Sequence, residues 1–156
     1  MRCNSVYWIS FGFFWAIVYC HNQTIAKAGE NCTKAADNNS NYESILRKQL
    51  SMNPRTWQAL LKHGITTQTS VRLDFFYVSP NEEASRCLVS VLKAETDYEI
   101  APPARSYDDR GWLVSGSTRA TRISPDILDK WVAWMVFAGK RGGGSVFDGW
   151  GTETRK

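Results

Sequence analysis

A phrase of apolar and polar positions occurs twice from Val71 onward. Its first copy is the apolar run Val71-Arg72-Leu73-Asp74-Phe75-Phe76-Tyr77-Val78, followed by Ser79-Pro80 and a helix-like segment. The second copy begins at Gly111-Trp112-Leu113-Val114 and reaches Ser124-Pro125 after a polar connection. In the first helix Ala84, Cys87, Leu88, Val91 and Leu92 recur at i, i+3, i+4, i+7 and i+8, the spacing of one buried face. Cys87 lies in that stripe, where a thiol acts as a small core filler. Ser79 is placed to cap this helix, with Pro80 at the first helical position and Glu82 completing a capping box. Ser124, Pro125 and Asp126 repeat that opening before the second stripe, Ile127, Leu128, Trp131, Val132, Met135 and Ala138. Trp134 and Phe137 fall away from its centre. Gly139 and Gly142-Gly143-Gly144 end the helix, with Lys140 and Arg141 near its negative pole.

Between the helices, Tyr98-Glu99-Ile100 and Gly111-Trp112-Leu113-Val114 read as strands joined by a loop from Pro102 to Arg110. Val146-Phe147 through Trp150 supplies a fourth. The order β-α-β-β-α-β predicts an α+β fold of the ferredoxin-like, split βαβ kind: an antiparallel sheet with both helices on one face. Upstream, Glu43 to Leu50 and Pro54 to Lys62 read as two helical pieces separated by Asn53-Pro54, an N-terminal helical extension that Gly64 is placed to end.

The amino terminus differs from the rest. Arg2 precedes an uncharged apolar run from Val6 to Tyr19, whose helical rise of ~21 Å falls short of a ~30 Å hydrocarbon layer. A basic start, a short apolar stretch and Ala26-Lys27-Ala28 predict a secretory signal peptide cleaved before Gly29, and so an exported or periplasmic protein. Lipid attachment at Cys20 is an alternative, and a tethering helix or a start upstream of a cytosolic domain is another. Membrane contact is expected only through this segment, uncleaved or lipidated. The organisation is thus a signal-peptide-like segment over 1–28, a polar linker and short helix over 29–53, and a domain over 54–156.

Composition narrows the function classes. Hydrophobic residues at 43% and charged residues at 22% are those of a folded domain. The net charge is +4, and without Arg2 and Lys27 residues 29–156 hold 17 basic and 15 acidic groups, a balance of +2 that is too weak to argue nucleic-acid binding from the bulk field. Cysteines at 3, 20, 32 and 87 have no C-x-x-C spacing, so no metal is expected, and a Cys32–Cys87 disulfide would need an oxidising compartment. Only His21 and His63 could act as general bases near neutrality. Glu82-Glu83 and Asp108-Asp109 are adjacent pairs whose carboxylates diverge on a helix or a strand. The glycines at 142–144 follow a helix, whereas a phosphate cradle needs them before one. No catalytic residue, cofactor or metal ligand is expected. Arg110-Gly111-Trp112 is similar to the start of an RNA-recognition sequence, but Leu113, Val114 and Gly116 depart from it; solvent-facing Phe75 or Tyr77 beside Trp112 would favour RNA.

The phrases Asp74-Phe75-Phe76-Tyr77-Val78 with Ser79-Pro80-Asn81-Glu82-Glu83-Ala84, then Trp112-Leu113-Val114, then Phe147-Asp148-Gly149-Trp150-Gly151-Thr152 stand in a telling order. In order and spacing they resemble the regulator of ribonuclease activity B family, bacterial inhibitors of ribonuclease E, as does the lead-in from Trp57 to Gly64. The resemblance covers roughly residues 55–152. It implies a non-enzymatic domain that regulates by docking on a partner protein, a ribonuclease or its scaffold. Two features differ from that family: an export-like start, and a slightly basic domain where the family is acidic. A docking domain leaves apolar groups over after core formation. Trp134 and Phe137 are the candidates on the second helix, with Phe76 on an open sheet face and Trp150 at a docking edge; filling the core is the alternative for Trp150.

Overall fold

A computed structural model of the chain describes residues 39–107 and 110–152. The signal-peptide-like segment, the alternatives at Cys20 and Cys32, and Asp108-Asp109 lie outside them. The fold is α+β. Along the described chain run α1 (Asn39–Lys62), β1 (Ser70–Val71), β2 (Asp74–Ser79), α2 (Glu82–Glu95), β3 (Glu99–Ile100), β4 (Ala104–Arg105), β5 (Trp112–Ser117), β6 (Thr121–Arg122), α3 (Pro125–Arg141) and β7 (Val146–Gly151).

Strand alternation builds the sheet. The order is β3-β5-β2-β7, with β4 also paired to β5 and every pairing antiparallel. Phe75 and Tyr77 on β2 point to one face and are fully buried, while Phe76 between them is 40% exposed on the other. Val114 and Phe147 lie opposite Tyr77 on the neighbouring strands, so the covered face carries one continuous apolar layer. Leu88 and Leu92 of α2, with Leu128, Val132 and Met135 of α3, close over it. Tyr77 puts its hydroxyl into this core because it can donate to the Met135 carbonyl at 2.8 Å. Burial pushes its pKa well above the ordinary tyrosine value, and the nearby Tyr98 adds to the effect.

Several local expectations need correction. The pieces expected on either side of Asn53-Pro54 are one helix, with Pro54 inside it. An interior proline costs ~3 kcal/mol in an isolated helix, and tertiary contacts offset it here. The buried Asn53 amide donates to Asp129 on α3 at 2.7 Å and accepts from the Trp150 indole N–H at 3.2 Å. Gln49 donates to the Phe147 carbonyl at 3.1 Å, and Trp57 and Leu60 are buried. The helix runs antiparallel along α3, with the Lys140 ammonium 5.6 Å from the Tyr42 ring near its start and Asn53 meeting Asp129 farther on.

The cap of α2 is Asn81, whose side chain accepts from the Ala84 N–H at 2.8 Å. Ser79 instead completes β2, opposite Trp112, and its hydroxyl shares a 2.7 Å hydrogen bond with that of Ser145 inside the molecule. The run from Val71 to Val78 is split: Val71 pairs with Thr121 in a separate two-stranded ladder, and the main strand starts at Asp74. Cys87 is half-buried and disulfide-bonded rather than a plain core filler; Cys3, Cys20 and Cys32 all lie outside the described residues. The opening of α3 is as expected, with the Ser124 side chain accepting from Ile127 N–H and Pro125 in the first turn, but Gly139 lies inside the helix, which Gly142 caps, and Ile127 is exposed rather than part of the buried stripe.

Candidate functional site

The site is built on α3. Its inward positions are consumed by the sheet, which leaves Ile127, Lys130, Trp134, Phe137 and Arg141 on an outer stripe at i, i+3, i+7, i+10 and i+14. Ile127 is 51% exposed and Phe137 53%. Trp134 is half-buried and meets the Tyr98 ring edge-on, with centroids 6.5 Å apart. Beyond it the Arg141 guanidinium lies 5.0 Å from the Phe137 ring centroid, held there by two short bonds to the Glu95 carboxylate at 2.6 and 2.5 Å. That bidentate pair fixes the end of α3 to the end of α2.

Trp134 and Phe137 therefore share one surface. Phe76 does not join them, since it stands on the other face of the sheet, which none of the described helices covers and where Val78, Leu113 and Val146 are half-buried. Trp150 stands on the helix-covered side, edge-on to Trp131 with centroids 6.2 Å apart and hydrogen-bonded to Asn53. Gly149, at φ +148°, and an irregular register between Phe76 and Tyr77 set the last strand so that Phe147 and Trp150 both face the helices.

At the start of α3 the stripe meets a cavity of about 310 Å³ that no sequence signal marked. Three segments form it: Asp97-Tyr98 after α2, Thr118 to Thr121 after β5, and Ile127, Leu128 and Trp131 of α3. Its floor is apolar, with Leu73, Ile123 and Leu128 buried. The Trp131 indole N–H donates to the Tyr98 hydroxyl oxygen at 3.0 Å. Burial raises the Tyr98 pKa, that hydrogen bond opposes the shift, and the Asp97 charge reinforces it, so the phenol stays protonated near neutrality. In the lining Arg119 approaches Asp97 at 3.6 Å; Arg119 also lies 3.9 Å from Glu99, which pairs with Arg72 at 2.7 Å. Arg72, by hydrogen bond and by charge, holds the Glu99 carboxyl below its usual range.

Other chemistry is sparse on this surface. His63 is exposed at the end of α1, away from the cavity. Among the described residues no group of three or more His, Cys, Asp or Glu is arranged to hold a metal. None of the described helices is long and apolar enough to cross a membrane. Phe75 and Tyr77, the rings a nucleobase would need on the open face, are buried under the helices, and half-buried Trp112 pairs with Ser79. No protein-family model matches the chain, and a search of the curated proteins finds no match.

Proposed function

We propose that this chain is a non-enzymatic, protein-binding regulatory domain that acts by docking on a partner, in the manner implied by its likeness to inhibitors of ribonuclease E. The observation that carries a docking role is the outer stripe of α3, where Ile127 and Phe137 stay more than half exposed beside Trp134 on a helix whose other face is fully used. Tryptophan is among the residues that dominate binding energy at protein interfaces, and phenylalanine is enriched in them. The strand order β3-β5-β2-β7 with α2 and α3 over one face supports a ferredoxin-like reading of the fold. A catalytic role draws less support, since Asp97, the acid in the cavity lining, is engaged with Arg119.

The partner test is direct. Trp134→Ala with Phe137→Ala is expected to weaken binding to purified ribonuclease E at least ~30-fold, at about 1–2 kcal/mol for each truncated anchor. Circular dichroism would check that the double variant keeps its fold. A wild-type chain that does not bind ribonuclease E rejects that partner. A folded double variant that binds it like wild type rejects the α3 surface.

We also propose export, supported by the signal-like amino terminus and the disulfide at Cys87, which an oxidising compartment preserves. In chain isolated from its native cells, Cys87 is expected to resist alkylation until a reductant is added, and intact mass to place the amino terminus at Gly29. A full-length chain with a freely alkylated Cys87 would overturn export and favour a cytosolic role.

A further inference from the structure

We infer that the cavity at the start of α3 is a binding site for a small uncharged aromatic molecule that carries a hydrogen-bond acceptor. This site shares Ile127 with the outer stripe of α3 but rests on the cavity and not on the docking role. Size sets the first limit: a cavity of ~150 Å³ holds benzene, so about 310 Å³ accommodates one ring with a polar substituent. It also falls at the lower end of the ~300–1,000 Å³ typical of small-molecule sites.

The lining sets the chemistry. Leu73, Ile123, Leu128 and Ile127 give an apolar bed, and the indole of Trp131 lies in the wall. Such a bed rejects an ion, because an unpaired charge there loses its hydration without gaining a partner. The charged side chains of the lining offer no unbalanced partner either: the Arg119 guanidinium and the Asp97 carboxylate already face each other at 3.6 Å. Tyr98 supplies the specific contact. Its oxygen accepts from Trp131 at 3.0 Å, which orients the phenol and leaves the hydroxyl proton to donate to a ligand. The raised Tyr98 pKa, caused first by burial, keeps that proton in place at neutral pH. Thr118, by contrast, is already engaged: its hydroxyl accepts from the Leu73 N–H and donates to the Arg119 carbonyl.

Benzamide is a suitable probe, with one ring, no charge and a strong acceptor. Titrated into the full-length chain, it is expected to bind with a dissociation constant near ~1 mM. The shifted NMR signals should be the amides of Thr118 and Ala120 and the indole N–H of Trp131. Benzoate and benzylamine should bind at least about tenfold more weakly. Tyr98→Phe should weaken benzamide about fivefold and leave indole, which lacks the acceptor, within a factor of about two. Ala120→Trp, on an exposed loop at the mouth, should abolish the shifts while preserving the fold. The site is refuted by benzamide failing to saturate at roughly tenfold that concentration, or by shifts that survive Ala120→Trp. The ligand class is refuted by benzoate or benzylamine binding as tightly as benzamide, or by an unchanged benzamide affinity in Tyr98→Phe.

Discussion

Replacing Phe147 with alanine is expected to destabilise the domain by about 3–5 kcal/mol, the usual loss for a fully buried phenylalanine. Phe147 is 1% exposed and joins three parts of the core at once. Its ring meets Tyr77 of β2 with centroids 5.2 Å apart and Trp131 of α3 at 6.1 Å, and its carbonyl accepts from Gln49 of α1. Truncation removes the transfer energy of the ring and leaves a void that two large rigid rings cannot readily fill, so the upper part of the range applies. For a domain of this size the melting temperature should fall by roughly 12 °C or more. Phe147→Leu, which keeps most of the volume, should cost less than ~1.5 kcal/mol. Denaturant titration of both variants decides the matter. A loss under about 1 kcal/mol for the alanine variant would mean that the core is not centred where α1, α3 and β7 meet.

Gly139→Ala tests the same junction from the helix side, and here two effects have opposite signs. In an exposed helix interior, glycine to alanine stabilises by ~1 kcal/mol. At Gly139, an added Cβ would lie 2.3 Å from the Ser145 carbonyl oxygen and 3.1 Å from the Tyr77 ring. The first distance is impossible without moving backbone, and the Ser145 hydroxyl is itself bonded to Ser79 in the interior. Overpacking of this kind costs ~1–3 kcal/mol, and the presence of backbone on the other side places it at the top of that range. A net loss of about 2 kcal/mol is therefore expected, and more for Gly139→Val. An alanine variant that melts above wild type would mean that α3 and β7 do not approach this closely.

The parts of the fold legible in the sequence are those governed by local chemistry. Ser124-Pro125 announces its helix because capping needs only residues within one turn, and the alternation through Phe75, Phe76 and Tyr77 assigns each ring to a face. What failed depended on distant partners. Ser79 looks like a cap until Ser145, far along the chain, takes its hydroxyl, and Asn81 then does the capping. Asn53-Pro54 looks like a break until Asp129 and Trp150 hold Asn53 in place. The candidate site divides in the same way. Trp134 and Phe137 stand out because helical periodicity leaves them outside the buried stripe. The cavity has no such signature: Asp97-Tyr98, Thr118 to Thr121 and Ile127 to Trp131 meet only when the β5–β6 connection folds back over the first turn of α3.

The antiparallel course of α1 along α3 has a geometric consequence for how the molecule is held. Residue 39 begins its helix beside the Lys140 end of α3, whereas the opening near Arg119 sits beside the Ile127 end. At ~1.5 Å per residue, these two points are about 20 Å apart along the helix axis. Any leash attached upstream of α1 would grip the domain at its back, so the opposite pole would face outward and stay clear for traffic.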